Sequence, residues 1–211
     1  MKSGGYGAVW RFLAYMLLLI GLGGILNGIA LLGEISNFKE GGIVEWMQFG
    51  VLATATAVLL NVAARKLPEA MALPLLASFL TMIAMFREMD LLLRENVPVL
   101  SWHIPVFVLS LGFLGIVWRM RRQLLSEFRR LTVSAFFPLL WAGLAVVIFG
   151  QMVGHGDFLE PLLESCYHRD YKRLLEESFE MMGYFFIFVG CLELRFEANG
   201  YAQSPEDGPD G

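Results

Sequence analysis

The sequence predicts an all-α integral membrane protein: a bundle of about six transmembrane helices, both termini cytoplasmic, with a polar cluster at the outer side. Three observations carry this reading. Apolar residues gather into long runs, Lys and Arg favour alternate connections between the runs, and the ionisable residues inside the runs collect toward one end of them. The composition agrees, with 56% hydrophobic and 17% charged residues and a mean hydropathy of +0.59. Soluble domains are about 45–50% apolar and about 25% charged.

A membrane helix needs about 20 largely apolar residues. Six segments satisfy this, at roughly 10–32, 43–64, 70–92, 102–118, 131–153 and 178–195. They make one transmembrane domain over residues 1–198. The tail 199–211 is rich in Pro, Gly, Ser and acids, which predicts disorder. Lys2 and Arg11 followed by an apolar stretch resemble a secretion signal. The run from Phe12 to Leu32 is too long for one and lacks a small-residue cleavage site, so it is read as a retained first span.

Orientation follows from short-loop charge. Lys2 and Arg11 precede the first span, Arg65 and Lys66 follow the second, and Arg119, Arg121, Arg122, Arg129 and Arg130 follow the fourth. These alternate connections share one side, the cytoplasm, in what the short loops suggest is a bacterial inner membrane. The net charge of −4 argues against a nucleic-acid partner, since no basic face is large enough to neutralise a phosphate track. Membrane lipids are the expected partners, with a membrane protein or a second copy of the chain as further ones. Gly21, Gly24 and Gly28 in the first span predict close approach of a neighbouring helix, chiefly within the chain. Trp10 and Trp118 fall at the inner interface, Trp46 and Trp102 at the outer.

In the connection 154–177, Asp157 and Glu160 have capping-box spacing, and Phe158, Leu159, Leu162 and Leu163 suggest a short helix on the bilayer surface. The last helix is expected to begin near Asp170. Cys166 and Cys191 lack both a disulfide framework and a metal-type spacing.

Folding the runs up-and-down places Glu45, Gln48, Arg87, Glu88, Asp90, His103, Gln151, His155, Glu177 and Glu180 at one outer depth, with Asn27 slightly deeper and almost nothing comparable at the opposite ends. Ionisable groups at membrane depth cost about 2.5–3.5 kcal/mol each at the centre, so they face a cavity or one another. Glu45 and Gln48 share a helix face, Arg87 and Asp90 have pairing distance, and Glu177, Glu180 and Tyr184 form one stripe. Glu45, Glu88, His155, Glu177 and Glu180 are ligand types suited to a divalent metal such as zinc, and an open position there would activate water.

Three functions are therefore expected to compete. The first is a metal-dependent intramembrane hydrolase or transferase on lipid, with Glu45, Glu88, Glu180 and His155 catalytic and Arg87, Gln48 and Tyr184 binding substrate. The second is a proton- or cation-coupled transporter using the same acids. The third is a non-catalytic membrane subunit or assembly factor with a structural polar network. No HExxH or GxSxG motif selects among them.

Overall fold

The computed structural model describes residues 4–32, 35–39, 41–65, 72–90, 103–155, 160–161, 164 and 168–202. Among these the chain is helical, with no strand. Six α-helices follow in order: α1 (Gly4–Leu31), α2 (Ile43–Arg65), α3 (Ala72–Glu88), α4 (His103–Leu131), α5 (Phe136–Val153) and α6 (Arg169–Ala202), with a 3-10 turn, Ile35–Phe38, between α1 and α2. Stretches within α1, α2, α4 and α5 are long and apolar enough to cross a bilayer, which marks a membrane protein.

The other two helices differ from the expected spans. Helix α3 has 17 residues, about 26 Å at the usual helical rise, at the lower limit of the span range. Helix α6 has 34 residues. Its polar ends dilute an apolar centre, and it runs to Ala202, so the tail expected to be disordered from Asn199 is helical for its first four residues. Asp157, Phe158, Leu159, Leu162, Leu163, Cys166 and Trp102 lie outside the described residues.

By its contacts the chain divides into two compact units, Met1–Gln48 with Gly143–Phe185, and Phe49–Ala142 with Phe186–Gly211. In the first, α5 and α6 run antiparallel in near backbone contact. A Cβ on Gly183 would lie 2.7 Å from the carbonyl oxygen of Gly143 and 2.5 Å from a Val147 methyl. One turn further along the pair, a Cβ on Gly150 would lie 2.8 Å from the Cβ of Phe179. Only glycine permits such approach, which strengthens packing where the bilayer supplies no hydrophobic drive. The Phe149 and Phe179 rings meet edge to face at 5.2 Å beside this seam.

The glycines of α1 behave differently. A Cβ on Gly21, Gly24 or Gly28 would meet nothing within 4 Å, so the close intrachain approach expected there is absent among the described residues. Most of the large apolar side chains of α1 are exposed, as suits a lipid-facing helix.

The second unit is built on Ala55, Val58, Leu59, Val62, Ala77, Phe136, Cys191 and Leu194. The hydroxyls of Thr56 and Thr81 bond at 2.7 Å inside it. Helices α3 and α4 pack extensively. Glu127 of α4 is buried, and its two carboxylate oxygens accept the backbone N–H groups of Ala72 (3.2 Å) and Leu73 (2.8 Å). A carboxylate from one helix thus caps the first turn of another, where the dipole favours negative charge. Glu193 is 2% exposed, and Glu197 accepts the N–H of Ala135 at 3.1 Å. A buried acid therefore also lies at the far end of the sixth expected span, and Glu127 and Glu197 lie beyond the expected spans. Glu127 and Glu197 are spent on backbone N–H groups at helix starts.

Candidate functional site

A tight turn delivers α2 to the site. Gly41 adopts φ 79°, a conformation glycine reaches without steric cost, and a Cβ on Gly42 would collide with the Asn37 carbonyl. The turn is closed by Glu45, whose Oε2 accepts the Gly41 N–H. Glu45 thus serves its own helix start, where an acid is favoured.

One turn on, Gln48 is fully buried. Its Nε2 donates to Glu177 Oε2 at 2.9 Å and to the Glu177 carbonyl at 3.2 Å. Its Oε1 is buried without a hydrogen-bond partner. A second amide–carboxylate pair lies a turn along α6, where Gln151 of α5 donates to Glu180 Oε1. Glu180 is 3% exposed. The stripe expected on α6 thus exists, and the sequence spacing that revealed it (177, 180, 184) selects partners on two other helices. Tyr184, expected to touch substrate, is itself buried on this stripe.

The remaining candidates do not join a metal centre. His155 is exposed, with Nδ1 3.1 Å from the Gln151 carbonyl. Arg87 bonds Glu88, through Nη2 at 2.9 Å and Nε at 3.2 Å to the same oxygen. His103 is exposed. Among the described residues no three His, Cys, Asp or Glu side chains come together to hold a metal. The expected zinc-type site is not supported. The physical reason lies in donor matching: glutamine amides engage Glu177 and Glu180, the Gly41 backbone engages Glu45 and a guanidinium engages Glu88.

An apolar groove of about 380 Å³ runs beside the polar pairs, between α1 and α6 in the same unit. Leu22 and Leu26 of α1, Phe38 of the 3-10 turn, and Leu175, Phe179 and Met182 of α6 wall it, with Asn27 and Ser178 as its polar lining. Residues 175, 178, 179 and 182 form one stripe of α6 and residues 177, 180 and 184 the adjacent one. Sequence reasoning passes over this groove, although the apolar 174/175, 178/179, 182 spacing carries it. The volume lies in the about 300–1,000 Å³ range of small-molecule sites. Compared with known proteins, the chain matches no family model, no curated protein and no solved structure.

Proposed function

We propose that this is a six-span protein of a bacterial inner membrane, both termini cytoplasmic, that holds the apolar chain of a lipid or lipid-linked molecule in the α1–α6 groove as a non-catalytic membrane subunit. The observation that supports this best is the groove itself, almost wholly apolar and walled by α1, whose other surface is exposed along its length. In a bilayer the nearest ligand of matching chemistry is an acyl or isoprenoid chain. Asn27 and Ser178 offer hydrogen bonds to an ester or headgroup oxygen at one point of the wall. The Gln48–Glu177 and Gln151–Glu180 pairs brace the helices around it. Neither Gln48 nor Glu180 lines the groove, and both are closed to it by burial, which favours a structural over a catalytic role.

The test is lipid analysis of the detergent-purified chain by mass spectrometry. Wild type is expected to carry a lipid through purification, and Ala30→Phe, which fills the groove from its wall, to lose it. Wild type free of lipid, or equal retention by both, refutes the reading.

Metal-free hydrolysis or transfer is the second reading. It is favoured by Glu177, which is only half-buried and precedes the groove residue Ser178. There Glu177 would act as general base. Glu177→Gln then abolishes turnover of a bound lipid while leaving its retention intact, whereas the non-catalytic reading has no turnover to lose.

A further inference from the structure

Helix α4 changes chemistry at a bend. From His103 to Trp118 it is apolar, and from Arg119 to Arg130 it carries five arginines and one acid. The helical backbone breaks at Met120 (φ −107°, ψ 15°), where the two parts join. Trp118 is 76% exposed, and the Arg121 guanidinium lies 5.1 Å from the centroid of its ring. Arg119, Arg121 and Arg122 line an open recess of about 650 Å³ with Trp118 and Gln123.

The single acid of this stretch does not neutralise it. Glu127 is buried and both of its oxygens are bonded to backbone N–H groups of α3. Among the described residues, then, no acid pairs with Arg119, Arg121 or Arg122, in a chain whose net charge is −4. Large apolar groups are exposed on the same segment, namely Leu125 and Phe128.

We propose that this bend is a binding site for the phosphate headgroup of an anionic membrane lipid. The guanidinium groups of Arg119, Arg121 and Arg122 hold the phosphate oxygens, a match of planar fork to tetrahedral anion that lysine cannot reproduce. Trp118 anchors the bend at the interface, the level where tryptophan collects. Leu125 and Phe128 enter the headgroup boundary, as the apolar residues of an interfacial helix do. Basic segments next to a membrane span attract anionic lipid electrostatically, each cation adding to the attraction. Exposed Leu125 and Phe128 among the arginines, with Trp118 at the bend, favour a lipid surface, which takes up apolar side chains, over a nucleic-acid backbone, which is bound chiefly through hydrogen bonds to phosphate and sugar. The site shares no residue with the α1–α6 groove, so either assignment stands or falls alone.

The experiment uses the full chain in detergent, titrated with phosphatidylglycerol or phosphatidylcholine and read by native mass spectrometry. Wild type is expected to retain phosphatidylglycerol about tenfold more strongly, a preference that raised ionic strength removes. The triple variant Arg119→Gln, Arg121→Gln, Arg122→Gln is expected to lose the preference, while Arg195→Gln on α6 keeps it. Equal retention of the two lipids by wild type, an undiminished preference in the triple variant, or displacement of phosphatidylglycerol by a short RNA overturns the proposal. The wild-type lipid comparison and salt titration decide it even if the triple variant fails to fold.

Discussion

Gln48 and Glu177 lie 129 residues apart in sequence and 2.9 Å apart in space. The amide nitrogen spends both hydrogens on Glu177, one on the carboxylate and one on the backbone carbonyl. Gln48→Leu keeps the approximate volume and strips Glu177 of this donor. Glu177 is half-buried, so the loss of this charge-assisted donor is expected to cost about 1 kcal/mol. A lowered melting temperature of the detergent-solubilised protein is expected. An unchanged one would show that the pair contributes nothing to stability.

Glu180 tests the second pair. Glu180→Gln keeps a side-chain oxygen able to accept from Gln151, whereas Glu180→Ala leaves the Gln151 amide bare at the α5–α6 seam. The alanine variant is expected to lose markedly more stability than the glutamine variant, with a difference of about 1 kcal/mol or more. Thermal unfolding followed by circular dichroism measures the gap, and equal losses would disprove the role given to this bond.

The glycines separate into two kinds. Gly183→Ala drives a methyl into Val147 and the Gly143 carbonyl, and overpacking of this kind costs about 1–3 kcal/mol. Gly24→Ala meets nothing within 4 Å and gains helix propensity, so its stability is expected to equal or slightly exceed that of wild type. Comparison of the two melting curves decides whether the α5–α6 seam or the α1 stripe carries the close packing.

Glu127 is expected to behave as a cap from another helix. Glu127→Ala frees the N–H groups of Ala72 and Leu73, at a cost of about 0.5–2 kcal/mol. Hydrogen exchange resolved by peptide is expected to rise in the first turn of α3 above that of the Thr56–Thr81 region. Uniform exchange would refute a local role.

Orientation has a direct readout. A fluorescent-protein fusion at Gly211 is expected to fluoresce, and an alkaline phosphatase fusion there to be inactive, because both report a cytoplasmic C-terminus. The reverse pattern would overturn the even number of crossings or the direction inferred from Arg119, Arg121 and Arg122.

Helix positions are legible in the sequence because a membrane helix must satisfy its own backbone groups over a fixed length, so run length alone locates α1, α2 and α5. Extent is less legible at α4 and α6. Beyond Trp118, and again beyond Arg195, the helix continues through polar residues that hydropathy discards, whereas the start of α6 at Arg169 agrees with the expected one near Asp170. At the site, the Glu177–Glu180 spacing identifies the right face of α6. The partners of that face are not readable, since spacing turns Gln48 and Gln151 toward the cluster without saying which carboxylate each one meets. The metal reading fails for the same reason: residue types show what side chains could ligate, and only tertiary placement shows that an amide or backbone N–H has reached them first. Glu127 is a lone acid among five arginines, and nothing in that pattern says that its carboxylate reaches the first turn of α3.

The Gln48–Glu177 bond also fixes an order of events at biogenesis. Chains emerge at about 5–20 residues per second, so Gln48 enters the membrane on the order of ten seconds before its acceptor is made. Through that interval α2 carries a bare amide that the translocon or neighbouring lipid must tolerate, and only the arrival of α6 completes it. A chain truncated before Arg169 never acquires the acceptor of that amide, so an unfinished copy differs from a finished one by one unmade bond.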